Sequence, residues 1–183
     1  MPYGRHSAVY SIEVIRRKVF QEKVYMIEDI PDILIVDAEK TDVEFMLEAL
    51  NKHKLTNKIK VLQDGGNALD YLFAAGEYLG RDTCKQPKVI ILDLKLPMVN
   101  GIEVLRRVRS NEMTKITPVV VFTSSTKDWE RIECYRLGAN SYIVKPVEYD
   151  SFVRTIAEIG FYWTLHNVHP GETDADSSYK HHR

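Results

Sequence analysis

Four apolar runs in this chain each stop at a polar residue: Ile33-Leu34-Ile35-Val36 at Asp37, Val89-Ile90-Ile91-Leu92 at Asp93, Pro118-Val119-Val120-Val121-Phe122 at Thr123, and Ser141-Tyr142-Ile143-Val144 at Lys145-Pro146. Aliphatic and β-branched runs this short, bounded by Pro, Gly and polar residues, read as strands buried on both faces, the condition of inner strands in a parallel sheet. A fifth run lies near 59–63, and helical periodicity near 41–51, 66–75, 101–110, 127–137 and 148–165 separates the five. Strand alternating with helix predicts right-handed crossovers and one parallel sheet covered on both sides. In such sheets ligand chemistry gathers at the carboxyl ends of the strands. Two carboxylates, a hydroxyl and an ammonium are therefore expected on one rim, and that is equipment for accepting a phosphoryl group on Asp93.

The fold class that follows is α/β, a doubly wound five-stranded parallel sheet of the flavodoxin-like kind. Thr41 or Asp42 is placed to cap the first helix, and Asp64-Gly65-Gly66 breaks the chain before the second. Residues 76–88 form a polar connection longer than the usual link in such folds, either an interaction loop or a tolerated insertion. Residues 32–167 are read as one domain. Residues 1–31 are an extension whose apolar positions fit a helix or a strand and which could take part in a dimer contact, and 168–183 are a tail without apolar period.

Composition narrows the class of partner. With 25 basic and 26 acidic residues the formal net charge is -1, so no global field favours nucleic acid or an anionic membrane. Arg16-Arg17-Lys18 and Arg106-Arg107 are too short for a binding stripe and read as solvated helix faces. Cys84 and Cys134 lack CxxC spacing and read as packing thiols in a reduced, cytoplasmic protein. The start has no long apolar segment, no window reaches a membrane span, and the six histidines show no zinc-site spacing.

Asp93 with Leu96-Pro97 and Gly101 following, Thr123 after Val-Val-Val-Phe, and Lys145-Pro146 after a strand carrying Tyr142 resemble, in this order, the receiver domain of two-component response regulators over roughly residues 33–165. Ala68-Leu-Asp-Tyr-Leu-Phe, Leu137-Gly-Ala-Asn-Ser-Tyr-Ile-Val-Lys-Pro-Val and the late aromatics Phe161-Tyr162-Trp163 look most like the stand-alone receivers that partner cyanobacterial phytochromes. The resemblance implies a phosphoprotein rather than an enzyme in the ordinary sense. A histidine kinase supplies the phosphoryl group, Asp93 accepts it as a mixed anhydride, and Lys145 provides the fixed cation. It further implies that Thr123 bonds a phosphoryl oxygen after transfer and that Tyr142 is the aromatic switch residue. Lys145 and Thr123 are expected at the rim, outside the core.

Two positions depart from the family pattern. Receivers ordinarily carry two adjacent acidic residues after the first strand, and this chain reads Val36-Asp37-Ala38-Glu39. Mg2+ prefers an octahedron of hard oxygens, so the resemblance leaves Asp37, Asp93 and the backbone carbonyl of Lys95 as its ligands, with binding weakened by Ala38. Glu39 could swing in. Lys95, two residues past Asp93, either shares the acceptor's side or faces solvent.

Output is expected through a downstream protein target. The surface of the fourth helix, fifth strand and fifth helix is the family's usual one, and the last helix carries Phe152, Ile156, Ile159, Phe161, Tyr162 and Trp163, more than one buried stripe needs. A homodimer through that helix is expected. The competing readings are a pseudo-receiver that works without phosphate and a flavodoxin-like enzyme. The latter lacks a Gly-rich phosphate-cradling loop.

Overall fold

The computed structural model describes residues 30–53 and 58–169. The expected extension, apart from its last two residues, and the tail from 170 onward lie outside the described residues. Five strands form one parallel sheet in the order β2-β1-β3-β4-β5: β1 Ile33–Val36, β2 Ile59–Leu62, β3 Val89–Leu92, β4 Val119–Thr123 and β5 Ser141–Val144. The helices are α1 Lys40–Lys52, α2 Gly65–Phe73, α3 Gly101–Ser110, α4 Asp128–Leu137 and α5 Tyr149–Phe161. Strands β1, β3 and β4 are buried along their whole length, whereas the edge strands β2 and β5 are mostly half-buried. That difference is what separates the unbroken apolar runs from Ile59-Lys60-Val61-Leu62.

The period-2 alternation of strand side chains divides the core in two. Leu34, Val36, Ile90, Leu92, Val119 and Val121 point to the side covered by α2, α3 and α4. Ile33, Ile35, Val89, Ile91, Val120 and Phe122 point to the side covered by α1 and α5. Edge-to-face contacts of Phe152 with Phe45 and Phe122, at centroid distances of 5.9 and 5.1 Å, fix α5 against α1 and the sheet. The chain steps outward from β1 to β2 and then crosses to β3 on the other side of β1, so the strand order reverses beside Asp37 and Asp93. This is the place where a doubly wound sheet opens a crevice.

Three local expectations change. The first helix starts at Lys40, with Glu39 at the N-cap position making no side-chain cap bond; neither Thr41 nor Asp42 caps it. Helix α2 starts at Gly65 because Asp64 accepts a hydrogen bond from the Asn67 N–H at 2.7 Å. The fifth helix ends at Phe161 and continues as a wider turn over Tyr162–His166.

The long connection is anchored. Arg81 donates to the Tyr71 carbonyl at 3.3 Å and stacks on that ring, Lys60 lies over the rings of Tyr71 and Tyr78, and Gln86 donates to the Leu72 carbonyl. Arg106 and Arg107 pair with Glu103 on an exposed face, as read from sequence. Cys134 is buried, but Cys84 is exposed in the connection and is no packing residue.

Candidate functional site

Asp37, Asp93, Thr123 and Lys145 meet at the carboxyl edge of the sheet. Parallel pairing continues a step beyond the strands: the Asp93 N–H donates to the Val36 carbonyl at 2.9 Å, Asp37 to Leu62 at 3.0 Å and Lys145 to Thr123 at 2.8 Å. Each Cα is thus held by the sheet while its side chain leaves the core. Asp93 is buried, and its Oδ1 accepts from the Leu94 N–H at 2.7 Å. Gly101 begins α3 directly beneath this turn, where an added Cβ would lie 2.2 Å from the Asp93 carbonyl oxygen. Only glycine lets α3 approach so closely.

The Lys145 ammonium is the hub. Its Nζ lies 2.6 Å from Asp37 Oδ2, 2.7 Å from Asp42 Oδ2 and 3.6 Å from Asp93 Oδ2. The Lys145 side chain is 7% exposed and that of Asp37 2%, and Thr123 is fully buried, so the sequence expectation that Lys145 and Thr123 lie outside the core is corrected. The lysine is placed there because a buried carboxylate needs a counter-ion. Burial works against the Lys145 charge, but Asp37, Asp42 and Asp93 more than offset it and hold the ammonium above the ordinary lysine range. Burial pushes the Asp37 carboxyl up, and Lys145 pulls it only part of the way back.

Sequence reasoning missed Asp42 as a member of this cluster. It stands four residues after Ala38, in the first turn of α1, where its carboxylate reaches Lys145. The spacing was visible, but an Asp near a helix start reads first as a cap.

On the other flank, Thr123 Oγ1 accepts from the Ser125 N–H at 3.3 Å, and the Tyr142 hydroxyl donates to the Ser125 carbonyl at 3.1 Å. The β5 aromatic and the β4 hydroxyl therefore hold the same loop. Burial pushes the Tyr142 phenol up. Lys95 is exposed, yet its ammonium neither joins the carboxylates nor simply faces water; it donates to Ser124 Oγ at 2.9 Å, tying the loop after β3 to the loop after β4.

Among the described residues, no group of three or more His, Cys, Asp or Glu side chains is arranged to hold a metal ion. Lys145 Nζ lies between the carboxylates instead. Ala38 offers no ligand, and Glu39 is exposed, with its N–H donating to Asp37 Oδ1 at 3.0 Å. Asp37 and Asp93 supply hard oxygens on adjacent strand ends, the donor type a small divalent cation takes, with one carboxylate fewer than a paired-acid loop would give and with Lys145 to be displaced from between them.

Exposed apolar side chains stand among charged ones on α4, β5 and the approach to α5. Trp129, Ile132 and Tyr135 of α4, Val144 of β5, and Val147 and Tyr149 before and at the start of α5 are exposed. In the last helix Phe152, Ile156 and Ile159 are buried, so the excess noted in the sequence rests on Phe161 and Tyr162, continued by Leu165. Among the described residues no helix is long and apolar enough to cross a membrane.

Residues 33–157 match the family model described as the response regulator receiver domain. A curated relative, the probable methanogenesis regulatory protein FilR2 of Methanothrix harundinacea, is 38% identical over 76% of this chain and 87% of its own. The crystal structure of the phosphorylated cyanobacterial phytochrome response regulator RcpA superposes with a TM-score of 0.72 at 30% identity, covering 78% of this chain and 99% of that one. The Mn2+-bound form of response regulator Rcp1, a Synechocystis protein, gives 0.71 at 31% identity over 76% and 98%.

Proposed function

This chain belongs to the response regulator receiver domain family, the signalling domain of two-component systems, and on that premise we propose that it takes a phosphoryl group from a histidine kinase onto Asp93 and signals through altered protein contacts. The observation that carries the reading is Asp93 itself: a buried carboxylate ending an inner strand, one oxygen fixed by the Leu94 N–H and the other facing Lys145 at 3.6 Å. In the transfer, the phosphorus–nitrogen bond of a phosphohistidine breaks and its electron pair stays on the imidazole. The free Asp93 oxygen bonds phosphorus to form an acyl phosphate. Lys145 neutralises charge on the transferring oxygens, and water is kept from most of the site by burial.

Thr123 then donates its hydroxyl to a phosphoryl oxygen. Because Tyr142 and Thr123 both hold the Ser125 backbone, movement at one is felt at the other and passes to α4. Asp37, Asp93 and the Lys95 carbonyl would hold a Mg2+, which supplies further neutralisation of the phosphoryl charge; with Ala38 in the loop its binding is weak. The existence of phosphorylated RcpA and Mn2+-bound Rcp1 supports both parts of this reading. The receiver unit is 32–167, working in the cytoplasm. The exposed faces of α4, β5 and α5 serve a downstream target, and the last helix a homodimer.

Phosphodonor labelling tests it: wild type should take acid-labile, hydroxylamine-sensitive phosphate and Asp93→Asn none. Label persisting in Asp93→Asn overturns the assignment. Ala38 favours one other reading, a receiver that binds its partner without phosphate, and for it wild type would take no label while partner binding survived in Asp93→Asn.

A further inference from the structure

We propose that Asp42 is a positioning residue that parks the Lys145 ammonium away from Asp93 in the resting state and so sets how much must be given up when a phosphoryl group recruits it. The inference rests on the reading of Asp93 as acceptor. Its basis is the unequal sharing of one cation. Lys145 makes two short charge-assisted hydrogen bonds, to Asp37 at 2.6 Å and Asp42 at 2.7 Å, and stands 3.6 Å from Asp93 Oδ2, outside hydrogen-bond range. The ammonium is thus drawn toward the β1–α1 lip.

The two holders are not equivalent. Asp37 is enclosed, and its second oxygen is already used by the Glu39 N–H; uncovering it would leave a buried charge unpaired. Asp42 is 25% exposed on the first turn of a helix, so it can exchange Lys145 for water at small cost. No other side chain on α1 forms an ion pair with Lys145 among the described residues. Asp42 is therefore the releasable half of the clamp. Keeping Lys145 there also leaves the attacking oxygen of Asp93 without a hydrogen bond from that cation before transfer. A dianionic phosphoryl group, with three acceptor oxygens, is the competitor able to draw the lysine across.

Beryllofluoride, an inorganic mimic of the aspartyl phosphoryl group, reads the competition at equilibrium. Titrations would follow the Ser125 amide resonance in the full chain, at a Mg2+ concentration shown to saturate each protein. Asp42→Asn should bind roughly five- to tenfold tighter, the net scale of one part-exposed hydrogen bond no longer opposing the ligand. Asp42→Glu should return toward wild type. Glu44→Gln, which removes an exposed acid from the same helix, should change nothing if the effect belongs to Lys145 and not to net charge. Unchanged or weaker binding in Asp42→Asn, or equal tightening in Glu44→Gln, overturns the proposal while leaving the acceptor reading intact. A wild-type protein that binds no beryllofluoride and takes no phosphate overturns the acceptor reading itself, and this inference with it.

Discussion

Lys145→Met removes the cation from the centre of the acid cluster while keeping most of the volume of its stem. Asp37, with a side chain 2% exposed, then keeps the hydrogen bond from the Glu39 N–H but loses its counter-charge. Deleting one member of a buried ion pair costs about 3–5 kcal/mol, most of it the penalty for the charge left behind. Asp42 is 25% exposed and can turn to water, which puts the expectation at the lower end, about 3 kcal/mol at pH 7. For a domain of this size that corresponds to a fall in Tm of about 6–12 °C. Urea unfolding followed by far-ultraviolet circular dichroism measures it, with the slope in denaturant unchanged. The same reasoning requires that Asp37→Asn, added to Lys145→Met, recover at least about 1 kcal/mol, since the orphaned charge is gone. A Lys145→Met protein as stable as wild type, or a double variant no more stable than the single one, would refute the claim that this lysine is a structural counter-ion.

Ala38→Asp should raise Mg2+ affinity by restoring a hard carboxylate beside Asp37 and Asp93; calorimetric titration giving equal affinity for both proteins would mean that the loop already supplies that ligand. Gly101→Ala places a Cβ 2.2 Å from the Asp93 carbonyl oxygen and 2.7 Å from the Leu94 Cα, backbone atoms that cannot step aside, so a loss of about 3 kcal/mol in urea unfolding is expected. The two thiols should separate cleanly under iodoacetamide at pH 8. Cys84 is exposed and reacts in the native protein, while Cys134, buried beside Glu130 and Glu133 with its thiol pushed up to about 11, reacts only on unfolding, which mass spectrometry of the labelled peptides checks.

Much of this protein was legible from residue order. Runs such as Val89–Leu92 and Ile33–Val36 are apolar on both faces because both faces are covered, the usual condition of inner strands in a parallel sheet. Strand ends in such a sheet share one edge, so Asp37, Asp93, Thr123 and Lys145 could be brought together with no contact known. Their grouping follows from local pattern repeated five times. What the pattern does not contain is the angle at which α1 meets the rim. Asp42 and Lys145 are 103 residues apart, and whether their side chains touch depends on helix tilt and on rotamers set by packing against Phe152 and the sheet. The same holds for Lys95, whose direction is decided by Ser124, 29 residues away. In the local sequence Asp42 is an acid at a helix start, and nothing there distinguishes a cap from a counter-ion. The tertiary structure makes the choice, because an ammonium buried among carboxylates takes the nearest acceptors that the packed elements leave within reach.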